Sequence, residues 1–268
     1  MKSSLSTLLK SSLSTASSIT IPVVLQGDAL DPNIYKKLFQ QQQQQQRPNI
    51  LITDPPYCLL TRRRKFGDLR DTKKRKLDDD ETITRFENVN SYKKFTQQWL
   101  ENVVNNCLSK ENTTLIIWTN PLGKKSISDV VQNDFGYHLQ GEYIWGKRSD
   151  HKSASNINST KEVLLRVYET ALVFKKGIEK INTNEKGIQW SVITGYHDNE
   201  TVHNHPCHKP FAAIEPLIRN FTKKDDIIVD PFAGSGGILH CAKLIGERKI
   251  CGLEKLVYWS SYANDILI

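Results

Sequence analysis

Two short stretches of this 268-residue chain hold residue types that chemistry would demand and folding alone would not. The first is Asp54-Pro55-Pro56-Tyr57, which follows the apolar run NILIT at residues 49–53. Adjacent prolines remove two backbone donors and fix φ twice, so the turn is rigid and its carbonyls keep set directions. The exocyclic amine of a nucleic-acid base is a poor nucleophile because its lone pair is delocalised into the ring. A carboxylate accepting one N–H and a carbonyl accepting the other would favour a pyramidal nitrogen and free that pair. Asp54 and the Pro55 carbonyl can supply both contacts, Pro56 stiffens the turn, and Tyr57 offers a ring for a flipped base to stack on.

The second stretch is Asp230-Pro231-Phe232-Ala233-Gly234-Ser235-Gly236-Gly237. It joins a predicted strand (226–230) to a predicted helix (238–244), and a further strand (249–253) ends at Glu254. In open α/β sheets ligands lie beyond the carboxyl ends of the strands. Gly234 and Gly236 let backbone approach a ligand with no Cβ in the way. An acid ending the next strand accepts from two ribose hydroxyls, and Glu254 stands there. A nicotinamide dinucleotide would want glycine or alanine where Leu239 stands. S-adenosyl-L-methionine has no pyrophosphate to cradle, so the looser Gly-Ser-Gly turn suits it better. Its methyl group is already activated, leaving alignment and electrostatics as the protein's task.

Those turns need elements to hold them. Residues 19–25 predict a strand that ends at Gly27-Asp28, and residues 31–39 a short helix opened by Asp-Pro. The glutamine tract at 40–46 reads as a solvated loop, where an insertion costs little closure entropy. Residues 91–109, with Phe95, Trp99, Val103 and Leu108 near helical spacing, predict an amphipathic helix. Residues 114–119 read as a core strand, 143–147 and 164–174 as strands around a polar loop, and 211–221 as a helix. Strands alternating with helices imply an α/β fold, a Rossmann-like, doubly wound, mostly parallel sheet.

With the catalytic motif ahead of the cofactor motif, the chain resembles the permuted, beta-class DNA amino-methyltransferase family of adenine-N6 and cytosine-N4 enzymes. The likeness runs from about residue 26 onward. Gln26-Gly27-Asp28-Ala29-Leu30 is similar to the family's segment ahead of the catalytic strand, and Trp145-Gly146-Lys147 and Tyr168-Glu169 to its later strands. His205-Pro206-Cys207-His208-Lys209-Pro210 is similar to the family's HPxxKP. The resemblance implies a circularly permuted class I S-adenosylmethionine-dependent methyltransferase, with Asp54, Pro55, Pro56 and Tyr57 catalytic. It assigns Asp28, Asp230, Phe232, Gly234, Gly236 and Glu254 to the cofactor, with His205 and Lys209 in the segment that closes the pocket. Cys58 stands where the family often has a polar residue, and Gly237-Ile238 replaces the commoner Thr-Thr. Residues 177–202, where relatives carry a target-recognition domain, are too few for an independent base-reading module. Specificity would then be slight, or come from a basic insert, a second copy, a partner subunit or a structured RNA.

The implied substrate is N6 of adenine in DNA, with cytosine N4 or RNA adenine as alternatives; aspartate at position 54 leans toward adenine. Protein glutamine methyltransferases carry asparagine there, after the cofactor motif. A non-catalytic nucleic-acid-binding subunit would have lost Asp54 or the glycines, and both are present. The formal charge of +8, from 37 basic against 29 acidic residues, suits a polyanionic partner without deciding for one. Arg62, Arg63, Arg64 and Lys65 open the insert at 61–90 and, with Lys73, Lys74, Arg75 and Lys76, read as a nucleic-acid surface or a two-part nuclear address. Residues 1–17, Ser-rich and free of acids, read as a disordered tail or a mitochondrial targeting peptide, ahead of one domain at 18–268. Five cysteines without a CxxC pair imply reduced thiols inside a cell. His203, His205, Cys207 and His208 crowd too closely for tetrahedral zinc, so no metal is expected. No apolar run could span a bilayer, so no membrane partner is expected.

Overall fold

A computed structural model of the chain describes residues 22–42, 46–60, 84–147, 168–177, 193–195 and 208–268. Among these residues eight strands form one sheet: β1 (Val24–Gln26), β2 (Ile50–Thr53), β3 (Thr113–Thr119), β4 (His138–Lys147), β5 (Tyr168–Lys176), β6 (Ile193–Gly195), β7 (Ile227–Asp230) and β8 (Lys249–Glu254). Their order across the sheet is β1-β8-β7-β2-β3-β5-β4-β6. Every pairing is parallel except the two made by β5, which runs against β3 and β4.

Among the described residues six α-helices cover the two faces: α1 (Pro32–Gln42), α2 (Val89–Asn106), α3 (Lys124–Asp129), α4 (Phe211–Phe221), α5 (Gly237–Ile245) and α6 (Val257–Leu267). A π-helical turn, Val130–Asp134, continues α3. Alternation along the strands sorts the core. Leu51, Leu115, Ile117, Val229 and Leu253 face α1 and α2 and meet Tyr35, Trp99 and Val103. Ile50, Ile52, Ile116, Trp118 and Ile228 face the other way, against Ile214, Leu217, Leu239 and Ala263 of α4, α5 and α6. Burial on both sides explains why β2, β3 and β7 are apolar runs and not alternating ones.

Local chemistry sets the helix starts. Asn88 caps α2, its side chain accepting from Ser91 N at 2.9 Å, and Asp31 accepts from Asn33 N at 2.9 Å ahead of α1. Helix α1 continues through Gln42, so Gln40 to Gln42 are helical and not the solvated loop expected of them. Glutamine is a good helix former, and adding a residue to an existing helix is easier than starting one. Strand β4 begins at His138, five residues before the expected start, with a bulge between Leu139 and Gly141. The sequence did not announce α3, the π turn or α6.

Among the described residues no helix is long and apolar enough to cross a membrane. Cys58, Cys107, Cys241 and Cys251 are free and buried, and burial pushes the thiols of Cys58, Cys241 and Cys251 up to about 11, 12 and 12. The expected tail at 1–17, most of the basic insert and nearly all of 177–202 lie outside the described residues.

Candidate active site

The carboxyl ends of β1, β8, β7, β2 and β3 lie along one edge of the sheet, and the reversed strand β5 brings its amino end to the same edge. That geometry gathers Asp28, Glu254, Asp230, Asp54 and Glu169 from five neighbouring or near-neighbouring strand ends. The two motifs become adjacent because β2 pairs with β7. Thr53 Oγ1 donates to Asp230 Oδ1 at 2.7 Å, so the last residue of β2 is tied to the first of the glycine turn.

On the glycine side, Asp230 Oδ1 also accepts from Phe232 N at 3.0 Å and thereby shapes the turn. Burial raises the Asp230 carboxyl to about 7 against the lowering effect of both hydrogen bonds. Phe232 sits edge-on to Trp99 of α2, with ring centroids 5.3 Å apart, which anchors the turn in the core. Gly234 and Gly236 take positive φ, 53° and 83°, a backbone that only glycine adopts without strain. Glu254 accepts from Gly234 N at 2.9 Å on one oxygen and from Leu256 N at 2.8 Å on the other. Burial raises its carboxyl, opposed by these backbone donors. Each oxygen keeps a lone pair, so the carboxylate can still take a vicinal diol. Asp28, past β1, pairs at the surface with Lys255 at 3.0 Å.

On the catalytic side, Asp54 Oδ2 accepts from Lys209 Nζ, and the same ammonium lies 3.1 Å from Glu169 Oε2. Tyr57 donates its phenol to Glu169 Oε2 at 2.9 Å. The Lys209 ammonium is 5.2 Å from the Tyr57 ring centroid and 5.0 Å from that of Trp118. Asp54 Oδ1 is buried and has no hydrogen-bond partner among the described residues. The turn beyond is held by Asn120, after β3, whose amide donates to the Cys58 carbonyl at 3.2 Å.

Two carboxylates and one ammonium in a nearly dry space perturb one another. Burial raises Asp54, outweighing the Lys209 ammonium, and the charge of Glu169 adds to the rise. Burial pulls Lys209 down, but Asp54 and Glu169 together outweigh it and hold the ammonium above its ordinary range. Burial and the same two carboxylates raise Tyr57, which stays a phenol.

The structure thus brings Asp54, Pro55, Pro56, Tyr57 and Lys209 to one point and Asp230, Phe232, Gly234, Gly236 and Glu254 to the next, with Asp28 one strand further. Lys209, which the resemblance set at the cofactor, touches Asp54 and Glu169 instead. His205, Arg62, Arg63, Arg64 and Lys65 lie outside the described residues, as do His203 and Cys207 of the rejected zinc cluster. Sequence reasoning gave Thr53 no role and named Glu169 only within Tyr168-Glu169, the segment similar to one of the family's later strands. A second signal for Glu169 was an acid inside an otherwise apolar strand, YETALVF.

Fold and site together define a Rossmann-like architecture of the class I methyltransferase type. The family model described as DNA methylase, the N6/N4 methyltransferase group, matches residues 49–263, and the chain belongs to that family. The Type II methyltransferase M.HpaI of Haemophilus parainfluenzae is 23% identical over 217 residues, 75% of this chain and 62% of its own. The chain therefore spans about three fifths of that relative's length. The putative methylase YubD of Escherichia coli is 45% identical over 53 residues, 20% of this chain and 23% of its own. The crystal structure of the M1.HpyAVI–SAM complex superposes with a TM-score of 0.61 at 20% identity, over 90% of this chain and 98% of that one. PvuII DNA methyltransferase, cytosine-N4-specific, gives 0.64 at 17% identity over 91% and 86%.

Proposed function

We propose that this protein transfers a methyl group from S-adenosylmethionine to the exocyclic amine of a base in DNA, N6 of adenine foremost. The observation that carries the reading is Asp54 Oδ1, a buried carboxylate oxygen with no partner among the described residues, just past a strand tied to the glycine turn through Asp230. An unpaired buried acceptor is costly to keep, and a base amine would satisfy it. Membership of the DNA methylase family supports the same reading. The cofactor assignment is supported by the remaining lone pairs of Glu254, the open glycine turn and the shared fold with a protein solved in complex with S-adenosylmethionine.

When bound, S-adenosylmethionine supplies a methyl group on a sulfonium, which leaves alignment and proton handling to the protein. Glu254 and Gly234 hold the nucleoside end. Asp54 accepts one amine N–H through Oδ1, the Pro55 carbonyl takes the other, and the lone pair turns toward the methyl carbon. Pro56 keeps both acceptors in register, and Tyr57 stacks on the base. Water is kept out by the rings of Tyr57 and Trp118, which strengthens each of these contacts. Arg62, Arg63, Arg64 and Lys65 carry phosphate-binding charge in this reading.

Mass spectrometry of nucleosides, after incubation with isotope-labelled S-adenosylmethionine and duplex DNA, single-stranded DNA or RNA, tests the proposal. Label on adenine N6 is expected with DNA and should fall by at least ~100-fold in Asp54→Ala, with cofactor binding retained. Label on cytosine N4 would keep the mechanism and change the base, and label on RNA alone would change the substrate. No label on any of the three, with the cofactor bound, would overturn the enzymatic reading.

A further inference from the structure

We propose that Glu169 is a positioning residue for this transfer, holding Tyr57 by its phenol and sharing Lys209 with Asp54 so that Asp54 keeps its affinity for the proton the amine must shed. The proposal rests on the methyl-transfer reading above. When the amine lone pair bonds to the methyl carbon, the carbon–sulfur pair stays on sulfur and the nitrogen becomes cationic. One N–H proton must then leave, and the nearest acceptor is the unpartnered Oδ1 of Asp54.

That acceptor faces a hazard. Lys209, with a side chain only 4% exposed, donates to the other oxygen of Asp54. A buried ammonium given wholly to one carboxylate would make a neutral pair and a feeble proton acceptor. Glu169 prevents this. Its Oε2 lies 3.1 Å from the same ammonium and its side chain is 11% exposed, so two carboxylates share this ammonium and the charge of Glu169 opposes that of Lys209 at Asp54. The same Oε2 takes the Tyr57 phenol at 2.9 Å, which fixes the ring that would carry the base. Position and proton affinity thus depend on one side chain, delivered by β5, which runs against its neighbours β3 and β4.

Among the described residues the groups that bear on Asp54 are Lys209 before α4, Glu169 on β5, Tyr57 in its own turn, Asp230 at the end of β7 and Tyr92 on α2. The tyrosines stay neutral near pH 7, and Asp230 is common to every variant compared. Removing Glu169 and removing Lys209 must therefore move Asp54 in opposite directions, which a merely structural role would not do.

The test is a carbon-13 NMR titration of the Asp54 carboxyl in the full chain, assigned with D54N. Beside it runs the pH dependence of turnover, with cofactor affinity measured calorimetrically. E169Q should lower the Asp54 midpoint by about one pH unit, and K209M should raise it. The acid limb of the turnover profile should follow each, and E169Q should lose roughly tenfold in kcat near neutral pH with cofactor affinity unchanged. An Asp54 midpoint that stays or rises in E169Q overturns the proposal. If K209M does not fold, E169Q alone decides. Opposed shifts without any label transfer by the native protein would remove the methyl-transfer reading on which the proposal stands. Transfer with unmoved midpoints would leave that reading and sink this one.

Discussion

Asp230 ends β7 and is buried, and Asp54 follows the adjacent strand β2 and is partly buried, yet one shapes the backbone and the other keeps an oxygen unpaired. The difference predicts how Asp230 couples to pH. Its carboxyl rises from 3.8 to about 7 on burial, so between those values the folded chain holds a proton that the unfolded chain releases. The stability contribution is complete below the lower value and is lost as pH climbs through the upper one. D230N, which can still accept from Thr53 and Phe232, should flatten the fall by up to about 1.4 kcal/mol per pH unit. Urea midpoints taken from about pH 5 to 8 would show it, and an unchanged slope in D230N would discard the assignment. At this scale Asp54, Tyr57, Gly234, Gly236 and Glu254 were legible, because chemistry demands those types at strand ends. Glu169 and the target of Lys209 were not. They meet Tyr57 and Asp54 across 112 and 155 residues of chain, and only the folded sheet closes those gaps.

The glycine turn acts as a joint between β7 and α5, and Gly236 is its tightest point. Its φ is 83°, and a Cβ added there would lie 3.1 Å from Ala263 Cβ on α6. G236A should therefore lose about 1–2 kcal/mol from backbone strain alone, with a further loss from pushing α6 aside. Calorimetric melting and S-adenosylmethionine titration should show both a lower midpoint and weaker binding, whereas a native-like midpoint would mean that the turn can relax. Among the elements, β2, β3, β7 and β8 were legible to within a residue or so, since each is an apolar run closed by a turn. Helix α6 escaped notice because its serines and Asn264 are poor helix formers. They earn their place by capping an edge: Asn264 accepts from Val24 N at 2.9 Å and donates to Val24 O at 2.7 Å, filling the role of a missing strand. Helix α3 and its π turn are too short to show a period, though Ile127, Val130 and Val131 are fully buried.

Over the whole molecule the excess of 8 positive charges favours any polyanion, so affinity alone says little about the substrate. The salt dependence says more. Replacing Arg62, Arg63, Arg64 and Lys65 with glutamine should weaken DNA binding and make the slope of log affinity against log salt shallower by about 3–4. Fluorescence anisotropy across a salt series would measure it, and a parallel line displaced by nothing would assign those charges to an address signal. The class of fold was legible from alternating strands and helices. The order of the strands was not, because no local pattern states that β2 will lie between β7 and β3.

The strand order has a temporal side. Val24 pairs with Gly252, and Ile50 pairs with both Thr114 and Ile228. On the ribosome, β2 can find β3 early, but one flank of β2 and the whole of β1 stay bare until residues 227–254 have emerged. Bare apolar strand edges are what chaperones hold and what neighbouring nascent chains stick to. The two motifs therefore have no half-built stage: a partly synthesised chain carries Asp54 without the strand beside it, and the two meet only once residues 227–254 have emerged.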